Sequence, residues 1–253
     1  MISVHDISKR FTSGERAVTA VDHLSFAVSP GEVYGLMGPN GAGKTTTLGI
    51  ILGLLKPDTG YAQVGNLRTD AQSDAVKALI GCVTANDGLY PWLSVRETLL
   101  FFADLYGVPP EKAAEHVRSL VERFGMQDYI DRRAVSLSTG QKQRAILSRG
   151  LVHDPPVMLL DEPTRGLDVV GSQIVFDYIH DLRQQGKAVI LSTHRLDEAQ
   201  RLCDRFGLLH RGKLWNEGTL EQLREKTGSE SLVDMFQELV AIESQRQERG
   251  ATA

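Results

Sequence analysis

The stretch that decides the fold runs Val33-Tyr34-Gly35-Leu36-Met37-Gly38-Pro39-Asn40-Gly41-Ala42-Gly43-Lys44-Thr45-Thr46. Its opening residues, Val33–Leu36, form a short apolar run of the buried-strand type. The glycines that follow let a loop wrap closely enough for its backbone N–H groups to reach phosphate oxygens. A helix starting near Gly43 adds the positive end of its dipole, Lys44 a point charge, and the Thr45 hydroxyl a ligand for Mg²⁺. Strand, loop and helix in that order are the context such a motif requires. The pattern predicts a nucleotide site built from Gly38, Pro39, Asn40, Gly41, Ala42, Gly43, Lys44, Thr45 and Thr46.

Outward from this loop the same alternation continues. Val157–Leu160 and Ala188–Leu191 are further buried-strand runs, each followed by a polar turn and a helical pattern. That argues for an α/β core with a mainly parallel sheet. The N-terminal part reads as antiparallel β, with pieces at Ile2–Ile7 and Leu24–Val28 around the polar turn Thr12–Arg16, and a hairpin is expected over Phe206–Trp215. Between about Asp74 and Val135 no strand is expected after Val83. Val117, Leu120, Val121 and Phe124 share one helical face there, so a helical subdomain inserted in the core is expected. A last helix, Ser231–Ile242, carries Leu232, Val233, Phe236, Leu239 and Val240 on one side. The expectation is a single domain over 1–242 with a frayed polar tail over 243–253.

Composition narrows the function classes. The chain has 253 residues, 42% hydrophobic and 24% charged, with a net charge of −4. It is long and apolar enough to bury a core without disulfides or metal, and too weakly charged to be disordered. The acidic excess lies beyond residue 214, where eight Asp and Glu face four Lys and Arg, so the rest is neutral. No basic excess exists to hold nucleic acid, which is not expected as a partner. Cys82 and Cys203 have no metal-ligand spacing and read as two buried thiols of a reducing compartment. The opening MISVHDISKRF has no apolar run and predicts no signal peptide. The longest apolar stretch, Leu48–Leu55, is far short of the roughly 20 residues that span a bilayer, so a cytoplasmic protein or one docked to a membrane protein is expected.

Three later segments narrow the chemistry. Val157-Met158-Leu159-Leu160-Asp161-Glu162-Pro163 is a strand ending in adjacent carboxylates, where ligands bind in such sheets. Asp161 suits Mg²⁺, and Glu162 suits a base for an attacking water. Ala188–His194 is another strand ending in a polar pair, from which His194 can reach a γ-phosphate. Leu137-Ser138-Thr139-Gly140-Gln141 lies 23 residues before Asp161, counted from Ser138. Ser138 reads as the N-cap of a helix, a second phosphate site in one chain. The economical resolution is one nucleotide shared between two copies.

With these motifs in this order, the sequence resembles the ATP-binding subunits of ABC transporters over about residues 2–242. Gly38–Thr46 resembles that family's Walker A loop, Leu137–Gln141 its signature motif, Val157–Glu162 its Walker B strand, Gly166-Leu167-Asp168 its D-loop, and His194 its switch histidine. The resemblance implies a P-loop NTPase fold, ATP and Mg²⁺, and a head-to-tail dimer around two nucleotides. Ser138, Gly140 and Gln141 would then meet the partner's ATP, and a separate membrane permease would be driven, with the chain held on the inner membrane face. Phe11 stands where the family sets an aromatic ring against adenine. Thr139 replaces the first signature glycine, and Ala85 replaces the glutamine of the loop leading to the helical subdomain, which leaves Asn86 as the nearest amide. The wording Thr84–Tyr90 and the Ser-Thr-Gly signature look most like the sodium-extruding NatA-type subgroup. That implies export, with sodium as cargo ahead of a drug or glycan. Leu89-Tyr90-Pro91-Trp92 would be the surface that meets the permease. A non-transport ABC ATPase or a small-molecule kinase are the rivals. The first usually fuses two ATPase domains or carries long insertions, and the second leaves Ser138–Gln141 unexplained.

Overall fold

A computed structural model describes residues 1–13, 16–84 and 88–238. Its centre is a six-stranded sheet in the order β10-β9-β3-β8-β7-β6, made by β3 (Val33–Met37), β6 (Ile80–Val83), β7 (Val157–Asp161), β8 (Ala188–Thr193), β9 (Arg205–His210) and β10 (Lys213–Gly218). All pairs are parallel except β9 with β10. Every residue of β3, β7 and β8 is buried, as expected of parallel strands covered on both faces. Alternate side chains feed two cores. Val33, Leu160, Val189 and Leu191 pack with the helical side, while Tyr34, Leu36, Leu159 and Ile190 pack with the N-terminal β part.

That β part is a four-stranded antiparallel sheet, β2-β1-β4-β5, from β1 (Ile2–Ser13), β2 (Arg16–Val28), β4 (Thr59–Val64) and β5 (Leu67–Arg68). The first two strands run well beyond the expected Ile2–Ile7 and Leu24–Val28. Their alternation is broken by register shifts after Val4, Ile7 and Lys9, with Asp6 and His23 at positive φ, so a strict period of two understates them. β4 and β5 lie outside the strands expected from sequence. β4 carries Gly60, where a Cβ would collide with the carbonyl oxygens of His5 and Asp6. Close approach of two strands, not propensity, puts the glycine there.

The helices follow their end signals. α1 (Lys44–Ile51) follows the loop, and α2 (Ser73–Ala78) precedes β6. α3 (Val95–Leu105) opens with a Ser94/Glu97 capping box, and α4 (Pro110–Phe124) starts at a proline and stops at left-handed Gly125. α4 buries Val117, Leu120 and Phe124 against α3 and α5 (Thr139–Leu151), with Val121 half-buried at the edge. Within the expected helical segment from about residue 74, β6 is hydrogen-bonded to β7 as part of the central sheet. α6 (Val169–Gln184) and α7 (Leu196–Leu202) flank β8, and α8 (Leu220–Thr227) follows β10. The expected hairpin is β9–β10, turned by Arg211 and Gly212, both at positive φ.

Residues 232–238 are helical, and the buried pair is Leu232 and Met235, while Val233 is 43% exposed. This corrects the expected face: burial at i and i+3 turns Val233 outward. Leu239, Val240 and the tail 243–253 lie outside the described residues. Cys82 and Cys203 are half-buried, and neither forms a disulfide among the described residues. No described helix is long and apolar enough to cross a membrane.

Candidate functional site

The strand order sets β3, β8 and β7 side by side, with Met37 paired to Thr193 and Asp161 to Ser192. Three loops therefore leave one sheet edge at the carboxyl ends of neighbouring strands, where ligands bind in open α/β sheets. They carry Gly38–Gly43, Asp161–Pro163 and His194.

Gly43 is the N-cap of α1, at φ 108°, and brings no capping side chain to the first-turn N–H groups. A Cβ there would collide with Ala20 O, and one at Gly38 with Leu209 O, so β2 and β9 press the loop from behind. The hairpin turn adds a brace, since Gly212 N donates to Ala42 O at 2.8 Å and Asp22 N to Gly212 O at 2.9 Å. Ala20, Asp22 and Gly212 escape a sequence reading because nothing local marks a brace from so far along the chain. Lys44, 7% exposed, folds back to donate to Gly38 O at 2.6 Å and Pro39 O at 3.1 Å. Burial draws its ammonium below the ordinary lysine range, opposed by the nearby Glu162 and Asp161 carboxylates. Such a held cation suits a multiply charged anion.

Asp161, 9% exposed, ends β7 with Oδ2 3.4 Å from the Thr45 hydroxyl. A hydroxyl and a carboxylate are hard oxygen donors of the type Mg²⁺ takes. Glu162 sits at φ 52°, a left-handed conformation that costs a non-glycine residue roughly 1–2 kcal/mol. Its side chain is held in place: Oε1 accepts from His194 N at 3.1 Å and lies 2.8 Å from His194 Nδ1, and Thr193 Oγ1 donates to Oε2 at 3.4 Å. Facing a carboxylate, Nδ1 is the donor, which leaves Nε2 as the outward atom on a ring 58% exposed. The two residues the sequence assigns separate roles are thus one hydrogen-bonded pair.

The signature segment lies on a different surface. Ser138 caps α5 in a full capping box: its hydroxyl accepts from Gln141 N at 3.3 Å, and Gln141 Oε1 accepts from Ser138 N at 3.0 Å. With Gly140 they line a cleft of 690 Å³ together with Gly166, Leu167 and Asp168, and no residue of the Gly38–Thr46 loop lines it. Asp168 caps α6 through Gly171 N at 2.7 Å, followed by Val169 and Val170, 87% and 71% exposed. Phe11, on β1, is 42% exposed beneath the Lys9 ammonium, so it is a surface ring and not a core aromatic. Ala85 and Asn86 lie outside the described residues.

This geometry has counterparts. Residues 21–165 match the ABC transporter family. The chain belongs to that family, as an ATP-binding ATPase domain. It is 39% identical over 237 residues to the ABC transporter ATP-binding protein NatA of Bacillus subtilis, covering 93% of this chain and 96% of the relative. It is 38% identical to the Nod factor export ATP-binding protein I of Rhizobium etli, covering 93% of this chain and 73% of that one. Among solved structures, an ATP-binding subunit of an ABC transporter superposes with a TM-score of 0.87 at 28% identity, over 95% of this chain and 99% of the other. A dimeric ATP-binding cassette in a post-hydrolysis state with ADP and Pi reaches 0.78 at 26% identity, over 87% and 98%.

Proposed function

We propose that this ABC ATPase hydrolyses ATP between two copies of the chain and drives a separate permease. The observation that carries the reading is the convergence of the Lys44 loop, Asp161, Glu162 and His194 at the ends of three adjacent strands. Backbone N–H groups of Gly38–Gly43, with Lys44, Thr45 and Thr46, bind the phosphates, and Phe11 stacks on adenine. Thr45 and Asp161 would hold Mg²⁺, which would supply neutralisation of phosphate charge. Glu162 accepts the proton of the attacking water. Its Oε1 already serves His194, but a carboxylate has about four lone-pair sites and room for one more donor. His194 Nε2 faces the γ-phosphate while Nδ1 keeps Glu162 oriented.

Ser138, Gly140 and Gln141 close the partner's site. The separation of their cleft from the phosphate loop supports this, as does the dimeric state of the similar cassette. Asn86 reports the γ-phosphate to the helical subdomain in place of the usual glutamine. Exposed Tyr90 and Trp92, at 51% and 76%, offer the permease an apolar contact on the inner membrane face. Sodium export is the favoured cargo reading, supported by the NatA-type wording of residues 84–90 and the likeness to NatA. Export of a drug or glycan is the second, and the likeness to Nod factor export proteins supports export. Inside-out vesicles bearing the chain and its permease should take up labelled sodium on ATP addition. Uptake of a labelled glycan without sodium would select the second reading, and no uptake without Lys44 would tie either to ATP.

A further inference from the structure

Glu198 is a carboxylate that the site as described does not use. It lies on α7, four residues past His194, and is only 5% exposed. Its Oε2 accepts from Thr164 Oγ1 at 2.6 Å, and its Oε1 pairs with Arg195 Nη1 at 2.6 Å. Thr164, 2% exposed, is two residues beyond Glu162, and Arg195 directly follows His194. The connections close on themselves. Arg195 N donates to Thr193 Oγ1 at 3.0 Å, Thr193 Oγ1 donates to Glu162 Oε2, and the chain runs from Glu162 through Pro163 back to Thr164. On its far side, Pro163 O accepts from Gln143 Nε2 of α5 at 2.7 Å.

A buried carboxylate is retained only where its partners hold it, and removing it strands both of them. A left-handed Glu162 persists only where its surroundings over-determine it. We infer that Glu198 is a positioning residue for hydrolysis: by tying Thr164 to Arg195 it fixes the Glu162 loop against the His194 loop and holds the pair in register. This rests on the assignment of Glu162 as base. The ring makes no hydrogen bond to residues 38–46 among the described residues, so its loss should leave the Lys44 loop in place.

The experiment measures kcat, KM for ATP and unfolding midpoints for Glu198→Ala and Glu198→Gln beside wild type and Glu162→Gln. Misplacement of a reacting group by about 1 Å costs on the order of 10²-fold. Glu198→Ala should therefore lose on the order of 10- to 100-fold in kcat with KM little changed. Glu198→Gln can keep both bonds in neutral form, its oxygen accepting from Arg195 and its NH₂ donating to the Thr164 hydroxyl, and should recover most of that loss, which a simple charge effect would not give. Thr164→Val removes the same bond from its other end and should reproduce the kcat loss if Glu198→Ala fails to fold. In a Glu162→Gln background, Glu198→Ala should add no further loss in single-turnover rate, because it acts through Glu162. Unchanged kcat in Glu198→Ala, a loss carried by KM, or losses that multiply in the double variant would overturn the inference. If Glu162→Gln itself keeps full turnover, the assignment of the base fails instead, and the two failures are told apart.

Discussion

Replacing Glu162 by Gln separates chemistry from binding, and the structure sets the size of each effect. The amide matches the carboxylate in shape. Its oxygen can still accept from His194 N, now at 3.1 Å, and its NH₂ can donate to Thr193 Oγ1 where the carboxylate accepted at 3.4 Å. The fold should therefore keep its stability to within about 1 kcal/mol, the net worth of one hydrogen bond. On the proposal that Glu162 is the base, the lost function is proton acceptance, which contributes on the order of 10²–10⁴-fold in rate. At 1.36 kcal/mol per decade that is about 2.7–5.4 kcal/mol of barrier. Residues 38–46, proposed to bind the phosphates, are untouched, and Lys44 keeps its bonds to Gly38 O and Pro39 O. Steady-state phosphate release measures the rate, and equilibrium titration with ATP measures binding. A rate loss of less than tenfold at unchanged stability would refute Glu162 as the base.

Two further outcomes follow from local geometry. Ser138→Ala removes the cap of α5 and half of its capping box, so it should cost about 1 kcal/mol and lower Tm by roughly 2–4 °C, read by calorimetry without nucleotide. His153 stacks on Tyr106 at 3.6 Å, and burial pushes its imidazole down from 6.5 to about 4. Between those values the unfolded chain binds a proton that the folded chain does not, so stability is full above pH 6.5 and is lost as pH falls towards 4. His153→Phe should flatten that slope in urea titrations at pH 7 and pH 5, and an unchanged slope would contradict it.

Much of the site was legible because its residues are contiguous and each sits at the end of a strand that is apolar throughout. Val33–Met37, Val157–Asp161 and Ala188–Thr193 need no alternation to be recognised, and the residue types that follow them name their chemistry. Ser138 was readable as a cap because Gln141 stands three residues on, the spacing of a capping box. What escaped is long-range. β4 and β5 have too few buried residues to announce themselves, and bulges at Asp6 and His23 hide the length of β1 and β2. The pairing of Glu162 with His194, and of Glu198 with Thr164, joins residues more than thirty positions apart. No local pattern records such a contact, since the sheet order alone brings β7 beside β8. On residues 232–238 Leu232 is buried as expected, and Val233 departs for the same reason: Met235, not Val233, meets the core beneath β9.

The central proposal is that each ATP lies between two copies, held by Lys44 of one and Ser138 of the other. Light scattering of Glu162→Gln during ATP titration tests it most directly, since bound ATP is then not consumed. The mass should double as ATP saturates, with two nucleotides per dimer. Adding Ser138→Arg should return the particle to a monomer that still binds ATP at its own Lys44. A chain that saturates with ATP and keeps the mass of one copy would contradict the shared site.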